Sequence, residues 1–401
     1  MEQYDVAVIG AGPAGSMAAK KAAEVGAAVI ILEEHPRAGW PVQCAGLLGV
    51  RAIEESELPL AKFAIRPVRG AFVVSPGGFQ ITFRSKETKA WVVDRRLFDR
   101  ALLAKAARSG AEVRMGSPVT DLVRDGRRSI LTVGRGVDLQ KIEAGVVISA
   151  EGVGARIARR AGIGPPREIL SSAQVEVPFE VVDPEKVEIR LGEKVAPGFF
   201  AWSIPAQEGV ARVGLCCREN ACEHLKSFLR SSPIRKRLKG GPLHLVVGGL
   251  PLGPPASTVA EGFMAVGDAA GQVKPTSGGG IYPGLVSAKI AGEVAAAAAL
   301  EGDASAARLQ EYEKRWRRAV GRELRLGMIV HRMMAGMTDE ELDDLIRDLS
   351  KREDLIRMIE ECGDIDRPSV VIRKVAPRMG LAGLKLAKIL LRNRQILKYS
   401  V

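Results

Sequence analysis

Gly10-Ala11-Gly12-Pro13-Ala14-Gly15 has the G-x-G-x-x-G spacing that turns a chain tightly and brings bare backbone against a pyrophosphate. Gly10 allows the turn, Gly12 the close approach, and Gly15 the close packing of the following helix, whose N-terminus attracts phosphate. Glu33 lies 18 residues beyond Gly15, at the end of an apolar run. A carboxylate there accepts hydrogen bonds from ribose hydroxyls, and Glu34 beside it could take the same role. A glycine-rich turn with no ligand is the plain alternative. Both NAD and FAD fit this first fingerprint.

Ala265-Val266-Gly267-Asp268-Ala269-Ala270-Gly271 supplies a second anchor far downstream. A strand ending in Gly-Asp places a carboxylate at a sheet edge. The glycine-rich run 275–280 offers backbone that can lie against a flat ring, with the positive end of the next helix aimed at it. An aspartate that merely caps a helix is the alternative. Taken together, the two anchors suit a long cofactor with a planar ring, which favours FAD.

Three aromatics crowd Gly198-Phe199-Phe200-Ala201-Trp202-Ser203-Ile204-Pro205 in a chain that is only 4% aromatic. Phe200 and Trp202, two residues apart on a strand, share one face and form a wide apolar wall, unless they are simply sheet core. Cys216, Cys217, Cys222 and His224 invite a metal reading. Their spacing fits no usual zinc pattern, because adjacent cysteines on a strand point to opposite faces; no metal is expected. His331, in a Met-rich segment, reads as a packed or surface residue.

The elements that must position these groups follow from periodicity. Residues 4–9 are almost wholly apolar, as in a strand buried on both faces of a parallel sheet. A helix over 14–25, ended by Gly26, and a strand over 28–32 complete a βαβ start. From 64 to 94 the period becomes two, with a Pro76-Gly77-Gly78 turn between strands 71–74 and 79–83. A helix over 95–109, strands through 111–150, a strand-rich stretch over 168–250 with one helix near 221–230, a strand over 263–267 and an Ala-rich helix over 280–300 follow. Beyond 303 the pattern is helical and charged.

The expected fold class is α/β: an FAD-binding Rossmann-like domain with an inserted antiparallel sheet domain and a helical C-terminal region. The expected FAD-binding segments are 1–62, 95–165 and 251–302. Residues 63–94 and 166–250 form the substrate sheet, and 303–401 the helical region.

The composition is that of a globular chain: 401 residues, 46% hydrophobic and 26% charged, with 44 glycines in no strict three-residue period. No charge-free apolar window reaches the roughly 18 residues a spanning helix needs; the best, 290–300, contains Glu293. Glu2 and Asp5 precede the first apolar run, unlike a signal peptide. Five cysteines with no C-x-x-C pair point to a reducing compartment and a cytoplasmic protein. The segment 367–401 holds nine Lys/Arg and no Asp/Glu, so it carries +9 of the net +12. Over 380–400 it reads as a basic amphipathic helix suited to an anionic membrane surface, or as a packed terminal helix with a solvated basic face. Its one aromatic, Tyr399, and the absence of any recognition motif argue against nucleic acid.

With these motifs in this order, the chain resembles the FAD-dependent superfamily that includes the aromatic hydroxylases and, more closely, the geranylgeranyl reductase family. The likeness rests on the first fingerprint with its acid, on Arg95-Arg96-Leu97-Phe98-Asp99, on Glu151-Gly152, on Gly267-Asp268 and on the cysteine loop Pro41-Val42-Gln43-Cys44-Ala45-Gly46. It covers roughly residues 1–300. Glu151 stands where the family usually has aspartate, and Cys44-Ala45-Gly46 departs from the two glycines common after the cysteine. Cys-Ala is similar to the loop of the archaeal reductases of digeranylgeranylglycerophospholipids.

The resemblance implies flavin contacts at Ala14, Glu33, Cys44, Ala45, Arg95, Val119, Asp268, Gly280 and Ile281, beside Gly10, Gly12 and Gly15. It also implies an isoprenoid cavity lined by Phe200, Trp202 and Pro205. The implied reaction protonates an isolated alkene toward a tertiary cation while reduced flavin supplies hydride in a dry site. Cys44 is the candidate proton donor or relay, with a small buried apolar residue as its alternative. A redox pairing of Cys44 with Cys362, as in some relatives, stays open. The implied partners are an isoprenoid glycerophospholipid and an external electron donor, whether NAD(P)H, a deazaflavin or a ferredoxin. Two other readings share the fold: an aromatic monooxygenase, and a non-catalytic prenyl-binding escort protein.

Overall fold

The computed structural model describes residues 1–136 and 138–378. The chain begins β1 (Glu2–Ile9), α1 (Pro13–Glu24), β2 (Val29–Leu32), β3 (Leu47–Gly49), α2 (Val50–Ser56), β4 (Ala64–Val68), β5 (Gly70–Val74), β6 (Gln80–Arg84) and β7 (Ala90–Val93). It continues α3 (Arg95–Arg108), β8 (Glu112–Arg114), β9 (Val119–Asp125), β10 (Arg128–Val133), β11 (Gln140–Ser149) and α4 (Arg156–Arg160). Then come β12 (Glu168–Pro178), β13 (Lys186–Arg190), β14 (Ala201–Pro205), β15 (Val210–Cys217), α5 (Ala221–Arg230), α6 (Ser232–Arg235), β16 (His244–Leu252), β17 (Val259–Ala260) and β18 (Phe263–Ala265). The described chain closes with α7 (Ile281–Glu301), α8 (Ala306–Trp316), α9 (Arg322–Ala335), α10 (Asp339–Ser350), α11 (Glu353–Cys362) and α12 (Pro368–Val375).

β18, β11, β1, β2 and β8 pair in parallel as the centre of an eight-stranded sheet. Val6, Ala7 and Val8 of β1 are fully buried because both faces of the sheet are covered. On one face α1 packs on α7, and small residues set their distance: a Cβ at Gly292 would lie 2.2 Å from the Ala18 carbonyl. By length and mean hydropathy, 1.2, the 21-residue α7 would suit a membrane span despite Lys289 and Glu293; it is instead a core helix, largely buried.

A seven-stranded sheet runs β16-β12-β15-β14-β13-β5-β6. The hairpin expected over 71–83 is β5 and β6, but β5 joins β13 in parallel. β7 pairs instead with both β3 and β4 in a separate three-stranded sheet, so segment 63–94 divides between two sheets. α9 and α10 close over the seven-stranded sheet: His331 of α9 lies 3.3 Å from Glu168 of β12, and Asp343 of α10 accepts from Ser75, just after β5, at 2.6 Å. The expected tail helix over 380–400 lies outside the described residues.

Candidate functional site

The first fingerprint sits between β1 and α1. Gly10 has φ +99°, and a Cβ there would lie 2.5 Å from the Ala150 carbonyl, so no other residue fits. Gly15 allows α1 to press on the turn, its Cβ position being 1.9 Å from the Gly10 carbonyl. A Cβ at Gly12 would meet nothing within 4 Å, so space lies open beside the turn. α1 begins with no side-chain cap, which leaves its N–H groups for an anion. Glu33 accepts from Ala11 N at 2.7 Å and from His35 N at 2.9 Å, fixing the acid beside the turn.

The second anchor is held from behind. Gly267 N donates to Gln272 Oε1 at 2.8 Å, Gln272 Nε2 donates to the Tyr312 hydroxyl at 3.0 Å, and that hydroxyl donates to the Ala265 carbonyl at 2.8 Å. Tyr312 and Trp316 are fully buried, so α8 fixes the Gly267-Asp268 turn. Among the described residues nothing hydrogen-bonds the Asp268 carboxylate. Desolvation raises its pKa above the usual aspartate range, with the Arg95 charge opposing. α7 starts at Gly280 without a side-chain cap, and the buried Ser277 hydroxyl has no partner.

Cys44 lines the same cavity as both anchors. Gly46 N donates to its sulfur at 3.3 Å. Arg95 makes two hydrogen bonds to Asp99, both 3.0 Å. Burial works against the Arg95 charge, but the Asp99 carboxylate and the Cys44 sulfur together raise its pKa above the ordinary arginine value. The cysteine loop is clamped by Arg212, which donates to the Ala45 carbonyl at 2.9 Å, the Val93 carbonyl at 3.1 Å and Glu176 at 3.0 Å. Hydrogen bonds from a charged donor contribute about 1.5–3 kcal/mol each. Gly46, with φ +68°, makes room: a Cβ there would lie 2.1 Å from the Arg212 guanidinium.

The aromatic wall connects to this loop. Trp202 Nε1 donates to Gln174 Oε1 at 2.9 Å, and Gln174 Nε2 reaches the Cys44 carbonyl at 3.5 Å. Phe200 meets Trp202 edge-on with centroids 6.2 Å apart and stacks on Phe199 at 4.3 Å. Phe199 in turn lies 5.6 Å from His331, a buried residue 3.3 Å from Glu168.

One cavity of about 1220 Å³ takes in both anchors, the cysteine loop and the aromatic wall. Ordinary ligand pockets hold about 300–1,000 Å³, so there is room for a dinucleotide and part of a second molecule. Gly10, Gly12, Ala14, Glu33, Cys44, Ala45, Arg95, Val119, Asp268, Gly280, Ile281, Phe200 and Trp202 line it. Gly15 does not line it, and acts by packing behind the turn. Pro205 is a correction to the expected lining: Trp202 and Ile204 face the cavity, so the two-residue period of β14 turns Pro205 to the other side.

Glu151 lines the cavity too, but its carboxylate accepts from Ser149 Oγ, Ile157 N and Ala158 N and so holds the start of α4. Cys216 and Cys217 do point to opposite faces: Cys216 lines the cavity, and Cys217 donates to the Glu219 carbonyl at 3.0 Å. Burial pushes the Cys216 thiol up to about 12, so it stays protonated and inert. Among the described residues no three His, Cys, Asp or Glu converge as metal ligands. Cys44 and Cys362 are both free thiols.

Periodicity and motif did not reveal Arg212, Gln174 or the buried pair Lys274–Asp366, 2.5 Å apart on the cavity wall. A lysine directly before the glycine-rich run 275–280 was the one available signal.

The uncapped helix starts, the open space at Gly12, the unpartnered Ser277 hydroxyl and the free Asp268 carboxylate fit a dinucleotide with a planar ring. Comparison with known proteins agrees. The family described as FAD dependent oxidoreductase matches residues 5–165. The chain is 38% identical over 364 residues to digeranylgeranylglycerophospholipid reductase 2 of Methanothermobacter thermautotrophicus, covering 88% of this chain and 93% of that protein. It is 37% identical to the digeranylgeranylglycerophospholipid reductase of Methanocaldococcus jannaschii, covering 88% and 92%. A solved structure of a geranylgeranyl bacteriochlorophyll reductase-like protein from Thermoplasma acidophilum superposes with a TM-score of 0.81 at 29% identity, covering 93% of this chain and 98% of that one.

Proposed function

The chain belongs to the digeranylgeranylglycerophospholipid reductase family of FAD-dependent oxidoreductases, and from that premise we propose that it saturates the geranylgeranyl chains of an archaeal glycerophospholipid at the cavity where Cys44 stands. The observation that carries this reading is the continuity of the cavity. The two anchors, Cys44 and the Phe200–Trp202 wall line the same cavity as an apolar set, Val73, Ile81, Val187, Ile189, Met334 and Leu345. That set matches a polyprenyl chain in chemistry, and none of these six side chains would polarise an alkene.

FAD, when bound, supplies the hydride equivalent. Gly10, Gly12 and the start of α1 would hold its pyrophosphate, Glu33 its ribose, and Asp268, Gly280 and Ile281 the region of its ring. The protein's own part at the alkene is to exclude water and to deliver a proton. Cys44 is suited to delivery, and the neighbouring Arg95 guanidinium stabilises the sulfur left after the proton departs. Asp99 keeps Arg95 in place, while Arg212 and the Trp202–Gln174 link fix the loop on which the sulfur rides.

The partners follow from this chemistry: an isoprenoid lipid and an electron donor. The sequence holds no second G-x-G-x-x-G that would bind a separate nicotinamide, so a nicotinamide, a deazaflavin or a ferredoxin delivers electrons in a step of its own. A substrate with two C20 chains favours a cytoplasmic protein working against the inner face of the membrane. Relatives named as reductases over nearly their whole length favour reduction over the aromatic monooxygenase, and the chain being an enzyme sets the escort protein aside.

The test is anaerobic incubation of dithionite-reduced protein with digeranylgeranylglyceryl phosphate, followed by mass spectrometry. A gain of two hydrogens per alkene is expected. An unchanged lipid, with a protein that still carries reducible flavin, would end the reading.

A further inference from the structure

β16 is one edge of the seven-stranded sheet, paired only with β12. Edge strands of soluble proteins are usually short, charged or covered, because a long apolar edge invites contact. This one is nine residues long and carries no charged side chain apart from His244 in its protonated form. Leu243, Leu245 and Val247 are 64%, 56% and 47% exposed, and Ile169 of β12 is 46% exposed. The register sets Leu245 opposite Val175, Val247 opposite Ala173 and Ile169 opposite Pro251, so these apolar groups share one face. Around the strand's start, Trp40 is 49% exposed and stacks on His244 at 5.9 Å. Both Trp40 and Val246 line the cavity, which therefore reaches the surface at this edge.

The charge beside the edge is mainly positive, with Glu223 at the start of α5 and Glu176 of β12 as the acids nearest it. From residue 224 to 260 the chain contains no Asp or Glu but has Lys226, Arg230, Arg235, Lys236, Arg237 and Lys239. Arg237 and Lys239 pair with Glu188 and Glu180. Lys226, Arg230, Arg235 and Lys236 are exposed and make no ion pair among the described residues. They lie on α5, on α6 and just after it. α5 packs on Ala173 and Val175, the residues opposite Val247 and Leu245, so its cations flank the apolar edge on the same side of the sheet.

We propose that this edge is a membrane-docking surface. Leu243, Leu245, Val247, Ile169 and Trp40 enter the headgroup boundary of an anionic bilayer, Lys226, Arg230, Arg235 and Lys236 lie over its phosphates, and the cavity opens toward the lipid. An apolar edge rimmed by unpaired cations and joined to a cavity mouth suits a lipid surface in both hydrophobicity and charge. A tryptophan at the rim has the amphipathic ring favoured at that depth. The choice of a bilayer as occupant rests on the lipid-reductase reading of the cavity. Docking here is separate from any contribution of the basic tail.

The test is flotation of the full-length, FAD-loaded protein with vesicles. Binding to equimolar phosphatidylglycerol and phosphatidylcholine, weak binding to phosphatidylcholine alone, and release by high salt are expected. Leu245→Glu/Val247→Glu and Arg235→Glu/Lys236→Glu should each weaken binding by about tenfold or more. Neither pair lines the cavity, so both variants should keep the wild-type circular dichroism, FAD content and reduction of detergent-dispersed lipid. Bromolipid quenching of tryptophan fluorescence that disappears in Trp40→Phe would place the rim at the interface by an independent route. Variants that float like the wild type would overturn the proposal. So would light scattering that shows the wild type to be a dimer and the apolar-edge variant a monomer, which would assign the edge to a second copy. Failure of every form to reduce detergent-dispersed lipid would instead strike the reductase reading, and the vesicle result would stand apart from it.

Discussion

The Cys44 sulfur and the Asp99 carboxylate share one buried guanidinium, so the charge of Arg95 is committed before any substrate arrives. If the thiol delivers the proton, Cys44→Ser should retain FAD and its spectrum but lower alkene hydrogenation in a single-turnover assay by about 10²-fold or more, the usual worth of a positioned acid. Full turnover in that variant would remove Cys44 from the mechanism. The role we propose for Asp268 is at the cofactor instead. Asp268→Ala should weaken FAD retention by about tenfold or more, the loss expected for a hydrogen bond involving a charged group, measured by flavin fluorescence on titrating the apoprotein. Cys44, Arg95 and Asp268 could be picked out in the sequence because each belongs to a short motif. Arg212 and Gln174 could not, since their partners Ala45 and Cys44 lie more than a hundred residues away and nothing in their local spacing marks them.

Among the elements, α1, α3 and α7 meet at Glu57, which follows α2. Lys20, Lys105 and Lys289 each hydrogen-bond or pair with its carboxylate at 2.8, 3.2 and 3.0 Å. Partial burial pushes this carboxyl up, but the three lysines overcome that and hold it far below its ordinary value of 4.5. A carboxyl with a depressed folded pKa binds fewer protons folded than unfolded. Its contribution is therefore complete above about pH 4.5 and is lost as the pH falls through the acid range. Glu57→Gln should unfold at lower denaturant concentration at pH 7, show a shallower fall in stability between about pH 5 and 3, and lose part of its sensitivity to salt, followed by circular dichroism. An identical pH slope in the two proteins would show that the network does not act as a unit. The helices themselves were expected from the sequence, α1 with Gly26 at its end and α7 from its alanines; that one glutamate ties three of them together was not.

Over the whole molecule, Lys274 beside the glycine-rich run 275–280 and Asp366 before α12 close the C-terminal region onto the cavity wall. Both are at least 95% buried, and one Asp366 oxygen has no partner. Removing one member of a buried ion pair leaves a stranded charge and costs about 3–5 kcal/mol, whereas replacing both with apolar groups is often neutral. Asp366→Asn should lower the urea midpoint of the FAD-loaded protein accordingly, and Lys274→Met/Asp366→Leu should recover most of the loss. A double variant no better than the single one would mean that the pair itself, not the stranded charge, holds the region in place.

The amino-acid sequence by itself determined the cofactor class, the two anchoring turns and the order of most strands and helices, because turns, caps and periodicity depend on residues that are neighbours in the chain. Tertiary structure alone decided that the anchors face one cavity, that Cys44 meets Arg95 and the Trp202–Gln174 link, and that β5 and β4 enter different sheets. The register of β14 is the clearest case: with side chains alternating at every residue, only pairing with β13 and β15 could set Trp202 toward the cavity and Pro205 away from it.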